Sequence, residues 1–251
     1  MKIFSIIPAV VLVLLFGCVS APAAETENAQ ITGVIKPSAS SGNASLVPAP
    51  MVSEQHNEEA LNAYLTGTQL MQQNRLREAE VYLLRALEID PEFVEAIDHL
   101  GIVYRRLNRL ADAERMYLRS ISINDKNSVP FINLAVIYRI QNKYNEALEL
   151  YNKVIEFDPD NPEGYYGAGE IIYSAGSYDA ALEMFFSAAE LYLSLNSRYI
   201  YHAYYYIGMI FYHKQRYEDA LKFLEEVQRN TPEIDSARRT IEEIRRIMTF
   251  A

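Results

Sequence analysis

The sequence has no tryptophan and one cysteine, Cys18. A single thiol closes no internal disulfide and builds no zinc site without companion ligands. Basic residues are also in deficit. The 23 Lys and Arg stand against 33 Asp and Glu, for a net charge of -10. Phosphate contacts need clustered Lys and Arg, so a general nucleic-acid binder is excluded. Long apolar runs are missing apart from Ile3 to Phe16, which is shorter than the roughly 20 residues of a comfortable membrane span. There is no Gly-rich phosphate loop, HExxH or nucleophile elbow. The four histidines are His56, His99, His202 and His213. His202 and His213 share a helical face, yet about 16 Å of rise separates them, too far for one metal. Paired carboxylates such as Glu58-Glu59 and Glu225-Glu226 fall on solvated faces. The chain is expected to be no enzyme and to hold no metal or cofactor.

What is present begins with that apolar run. It follows Lys2, contains Pro8, and has the length of a signal peptide; an uncleaved N-terminal anchor is the other reading. Its end, Leu15-Phe16-Gly17-Cys18, resembles a bacterial lipobox, with Phe16 bulkier than the usual residue. The resemblance implies cleavage after Gly17, so that 1–17 is removed, and a diacylglyceryl group and further acylation on Cys18. One acyl chain holds marginally, at about 0.8 kcal/mol per buried methylene; two or three hold permanently. Val19, where Asp favours inner-membrane retention in diderm bacteria, points to the outer membrane facing the periplasm. Residues 18–52 are rich in Ala, Ser, Pro, Gly and Asn and free of aromatics. Such a segment cannot offset its ordering entropy. It is expected to be a flexible tether with a span of about 30 Å.

From Ala60 the chain repeats with a 34-residue period, in units 60–93, 94–127, 128–161, 162–195 and 201–234. The eighth position is small: Gly67, Gly101, Ala135, Gly169, Gly208. The twentieth is Ala79, Ala113, Ala147, Ala181, Ala220, and the twenty-fourth is large: Leu83, Tyr117, Tyr151, Phe185, Leu224. Each unit holds two apolar stripes of helical period. The break between them carries Asn74, Asn108, Asn142, Gly176 and Gln215. Asn and Gly suit the left-handed residue that ends a helix. Gln215 does not, so its turn is expected to differ.

The stretches "AEVYLLRALEIDP", "LGIVYRRLNRLADAERMYLRSI" and "YNEALELYNKVIEFDPDNP" resemble the tetratricopeptide-repeat (TPR) family. The resemblance implies an all-α fold: an α-solenoid of helix–turn–helix units over 53–234, closed by a C-terminal capping helix within 235–251. In "SARRTIEEIRRIMTF", Ile241, Ile244, Ile247 and Met248 make the stripe of that cap. Ser53 is a candidate N-cap for the first helix. The fourth position, often Trp in the family, is Ala63, Ile97, Phe131, Tyr165 and Tyr204. The insertion "NSRYI" (196–200) breaks the period, and the helix before it is expected to run long.

In this family the first helices line the concave face. Positions 2, 5, 9, 12 and 13 of each unit share that face by helical geometry. They bring Arg105, Arg106 and Arg139 into a small basic cluster, and Tyr166, Tyr173, Tyr205 and Tyr212 into an aromatic strip. Arg and Tyr concentrate binding energy at interfaces. A partner peptide with an acidic residue and apolar anchors suits them. The plainer reading is that Arg pairs with nearby Glu and Tyr packs between helices. The clamp that grips a terminal carboxylate in eukaryotic co-chaperone repeats needs Lys and Asn at set positions. Tyr64, Thr68, His99, Val129 and Asn133 stand there instead. The expected function is a membrane-anchored scaffold for protein–protein contacts in bacterial envelope assembly. A ligand-binding accessory component of a transport system, with a Tyr-lined pocket between units four and five, is the rival. Self-association through the array ends is a third reading.

Overall fold

A computed structural model of the chain describes residues 57–250. Cys18, Ser53 and the tether lie outside the described residues. Within them every regular element is an α-helix. In chain order these are α1 Glu58–Gln72, α2 Leu76–Ile89, α3 Val94–Arg106, α4 Leu110–Ile123, α5 Ser128–Ile140, α6 Tyr144–Phe157, α7 Pro162–Ser174, α8 Tyr178–Ser194, α9 Ile200–His213, α10 Tyr217–Asn230 and α11 Asp235–Phe250. They pack as sequential antiparallel pairs, α1 with α2 through α9 with α10, and α11 covers α10. First helices also touch across units, α1 with α3, α3 with α5 and α5 with α7, and so form the inner side of the array. No described helix is long and apolar enough to cross a membrane.

The repeat pattern explains the pairing. The large twenty-fourth residue of each second helix is buried against the small eighth residue of the first. A Cβ on Gly101 would lie 2.5 Å from the Tyr117 ring, and one on Gly208 2.7 Å from Leu224. Glycine costs a helix roughly 1 kcal/mol against alanine. Full burial of each facing side chain contributes about 1.5–3 kcal/mol, which offsets that cost.

The turns within units are Schellman motifs. In the first, Asn74 N–H donates to Met71 O at 3.1 Å and Arg75 N–H to Leu70 O at 2.9 Å. Asn74, Asn108 and Asn142 hold φ of 61°, 59° and 60°, and Gly176 holds 80°. Gln215 departs from expectation by taking the same turn, at φ 57°. Its N–H and that of Arg216 donate to Tyr212 O and Phe211 O, both at 2.9 Å. Those bonds and the buried Phe211 hold a conformation disfavoured for a residue with a Cβ. Gln215→Gly should therefore stabilise the fold by about 0.5–1 kcal/mol, read as a higher urea midpoint. An unchanged midpoint would mean that the side chain carries no strain.

Two helix boundaries bear on the expectations, the first by departing from them and the second by meeting them. Helix α1 starts at Glu58, capped by Asn57, whose Oδ1 accepts from Glu59 N–H at 2.8 Å. Asn57, not Ser53, is the cap, because it sits one residue before the first helical turn. Helix α8 runs long, with 17 residues against 14 in the other second helices, before Asn196 turns it at φ 51°.

Candidate functional site

The inner side of units three to five is organised by Glu170 on α7. One of its oxygens accepts from Arg139 Nη1 on α5 at 2.5 Å, the other from the Tyr206 hydroxyl on α9 at 2.9 Å. Burial works against the Arg139 charge, but Glu170 and the Tyr151 hydroxyl hold its pKa above the ordinary value. About two turns back on the same helix, Glu163 accepts from the Tyr192 hydroxyl at 2.5 Å. Burial raises the Glu163 carboxyl above its usual range.

Aromatic rings fill the space between α7, α8 and α9. Tyr166 stands edge-on to Phe185, Tyr192 and Tyr206, with centroids at 5.8, 6.4 and 5.9 Å. Tyr206 stacks on Phe185 at 4.6 Å and 4°. Tyr173 meets Tyr206 at 5.2 Å, and its hydroxyl lies 3.0 Å from His213 Nε2. Burial pushes the Tyr166 and Tyr206 hydroxyls well above the usual tyrosine range, so both stay neutral, and Tyr206 donates to Glu170. Farther along, Tyr212 donates to Glu243 of α11 at 2.8 Å, which ties the strip to the cap.

The expected site residues therefore divide. Arg139, Tyr166 and Tyr173 are brought together through Glu170 and Tyr206. Tyr205 is half-buried, its ring 5.5 Å from Tyr206, and Tyr212 joins through His213 at 5.6 Å. The three arginines are not an equivalent cluster. Arg106 donates to Met71 O at 3.1 Å and to Asn74 Oδ1 at 2.9 Å, closing the turn of unit one. Arg139 is paired with Glu170. Arg105 lies beside the Tyr117 hydroxyl, whose pKa burial raises and the guanidinium pulls back. Its Nε is buried without a hydrogen-bond partner.

Tyr206, Tyr192 and Phe185 belong to the network but stood outside the expected face; Glu170 lies on that face as the ninth residue of unit four. The signal that finds Tyr206 is a pairing rule. The sixth residue of one unit packs back on the fifth of the unit before: His99 on Tyr64 at 5.2 Å, Tyr206 on Tyr166 at 5.9 Å.

Asp98 and His99 sit at the start of the same face. Asp98 accepts from Asn127 Nδ2 at 3.0 Å. Burial raises its pKa to about 7, against the pull of Ser120 and Asn127. His99 Nδ1 lies 3.2 Å from Thr68 Oγ1, and burial lowers its pKa to about 4. The two act oppositely on stability. Folded Asp98 holds its proton more tightly than unfolded Asp98, so its contribution falls as pH rises from about 3.8 through 7. Folded His99 holds its proton less tightly, so its contribution rises from pH 4 through 6.5. In Asp98→Asn only the rising contribution remains. Its melting temperature should climb more steeply than wild type between pH 4 and 6.5. Equal slopes would sink the assignment.

Comparisons with known proteins agree with this geometry. Models described as tetratricopeptide repeat match residues 64–93, 94–124, 116–149 and 187–233, and one described as TPR repeat matches 135–176. The chain is a tetratricopeptide-repeat protein. A search of curated proteins returns no match. Solved structures share the fold of this TPR chain at low identity. YrrB, described as a TPR protein with an unusual peptide-binding site, is 21% identical over 73% of this chain and 92% of that chain, with a TM-score of 0.54. PilF of Pseudomonas aeruginosa is 17% identical over 74% and 89%, with a TM-score of 0.63. A chain of the APC/C hetero-tetramer Cut9–Hcn1 is 16% identical over 76% and 37%, with a TM-score of 0.67.

Proposed function

We propose that this TPR protein is a lipid-anchored adaptor of the bacterial envelope that holds partner segments along its first helices. One observation carries the reading: the first helices adjoin one another from α1 to α7, α7 meets α9 through Tyr173 and Tyr206 at 5.2 Å, and this inner row ends in the half-buried Tyr173, Tyr205 and Tyr212. Half-buried tyrosines offer area and hydroxyls to a partner at little entropic cost. The pocket reading is less favoured, because Tyr166, Phe185 and Tyr206 pack on one another where such a pocket would lie. YrrB, with the same fold, is described with a peptide-binding site. No reaction is assigned, since TPR proteins are typically scaffolds without catalysis.

Anchoring rests on the lipobox at Cys18. The lipid would hold the array at the outer membrane, facing the periplasm, with 18–52 as its tether. Cys18→Ser should move the protein from the membrane to the soluble fraction and abolish labelling by a palmitate analogue. Unchanged fractionation without label removes the lipoprotein part and leaves the adaptor part standing. The adaptor part is tested by photo-crosslinking from Tyr205 and Tyr212 in intact cells. Reproducible protein adducts, lost when the crosslinker is moved to the outer residue Arg115, are expected. Adducts with small molecules alone would favour the transport reading.

A further inference from the structure

Units two and three carry the same arginine–tyrosine pair at the same repeat positions. Arg105 and Arg139 are twelfth, Tyr117 and Tyr151 twenty-fourth. In both units the guanidinium lies against the tyrosine hydroxyl inside the unit. What differs is the ninth residue of the next unit. For Arg139 it is Glu170, and an ion pair forms. For Arg105 it is Val136. No carboxylate among the described residues pairs with Arg105, and its Nε has no hydrogen-bond partner. Next to it, Arg106 is satisfied by a carbonyl and an amide, both neutral, so its charge adds to that of Arg105. The buried Asp98 acts on the same Tyr117 hydroxyl as Arg105 without an ion pair to it, so two guanidinium groups stand here with no paired carboxylate in a protein of net charge -10.

We propose that Arg105 anchors an Asp or Glu side chain of a bound peptide, which takes the place beside Arg105 that Glu170 takes beside Arg139. The inference rests on the adaptor reading and gives it a ligand chemistry. The register also describes the neighbouring part of the ligand. Arg106, the thirteenth residue of its unit, reaches the twelfth residue of the unit before it, at Met71 O. By the same register Ile140 falls next to Arg105, and it is 53% exposed. An apolar residue beside the acidic one in the ligand suits Val136 and Ile140. Charge-assisted hydrogen bonds to a fork of this kind are about twice as strong as neutral ones.

The test uses the mature soluble chain with Cys18→Ser and two pools of N-acetylated, C-amidated decapeptides. The pools are randomised except at a central leucine followed by either Glu or Gln. Fluorescence polarisation should show the Glu pool binding about tenfold more tightly. Arg105→Gln should erase that preference. Val136→Glu should erase it as well by supplying an internal carboxylate, and should raise the melting temperature. Its melt therefore distinguishes a filled site from a damaged fold. Arg106→Gln should weaken the preference without erasing it. Equal binding of the two pools overturns the carboxylate anchor and leaves the peptide groove intact. Binding of neither pool overturns the groove with it. A preference that survives Arg105→Gln or Val136→Glu, or one that appears only when a Gln pool carries a free C-terminal carboxylate, also overturns the proposal.

Discussion

Gly167→Ala is expected to destabilise the protein by about 3 kcal/mol, at the upper end of what overpacking a core costs. The added Cβ would lie 2.2 Å from Cζ of Tyr151 and 2.3 Å from its Cε1. Those are ring atoms of a side chain that is itself buried and meets Arg139 through its hydroxyl. Moving the ring would disturb the Arg139–Glu170 pair as well as the packing. The better helix propensity of alanine returns roughly 1 kcal/mol and does not reverse the sign. A loss of about 3 kcal/mol lowers the melting temperature by about 6–12 °C in a chain of this size. Gly176→Asn is the control. That glycine has φ 80° and nothing within 4 Å of its Cβ, and asparagine already fills the same turn in three units. It should cost under about 1 kcal/mol. If the two variants melt together, contact with Tyr151 is not what selects glycine at residue 167. Adding Tyr151→Leu to Gly167→Ala should recover part of the loss, a coupling expected of groups in direct contact.

Glu170→Val has the second largest expected effect, about 2–3 kcal/mol. It would turn the Arg139 site into a copy of the Arg105 site, with valine at the ninth position. Breaking a buried ion pair from one side costs about 3–5 kcal/mol because the partner charge is left uncompensated. The figure here is lower because Arg139 is 31% exposed and Glu170 16%. Water therefore recovers part of the charge. The Tyr206 hydroxyl loses its acceptor in the same variant, which adds to the loss. Urea titration measures the sum. Arg139→Met combined with Glu170→Val should be more stable than Glu170→Val alone. If the single and double variants are equally stable, the pair is no more than a surface contact.

The helical array was legible because its pattern is short-range. Small residues at positions eight and twenty and a large one at twenty-four leave few ways to pair two helices. The asparagine turns at Asn74, Asn108 and Asn142 announce themselves, since few residues accept that backbone conformation. Gln215 was misjudged because propensity was weighed without the helix packing that overrides it. The aromatic strip was half legible. Tyr166 and Tyr173 fall on the inner stripe of their own helix. Tyr206 sits one position off that stripe and is placed by what it meets in the previous unit, a relation invisible when each helix is read alone. The arginines illustrate the same limit. Their partners lie about one repeat away, with Glu170 31 residues from Arg139 and Met71 35 from Arg106. Repeat position showed a basic cluster, and only the fold showed that two of its three members are already engaged.

Each helix of the array packs almost wholly on its neighbours in the chain. Such a molecule opens in segments, because a break at one joint is felt weakly two joints away. A peptide lying from Arg105 to Tyr212 would bridge joints that the chain leaves unlinked. Its binding energy would enter as shared stability, since every spanned joint must be closed for the peptide to sit. Amide hydrogens in units two to five would then exchange at one common rate in place of several. The ligand would act as the longitudinal thread that makes a row of local folding units melt as one.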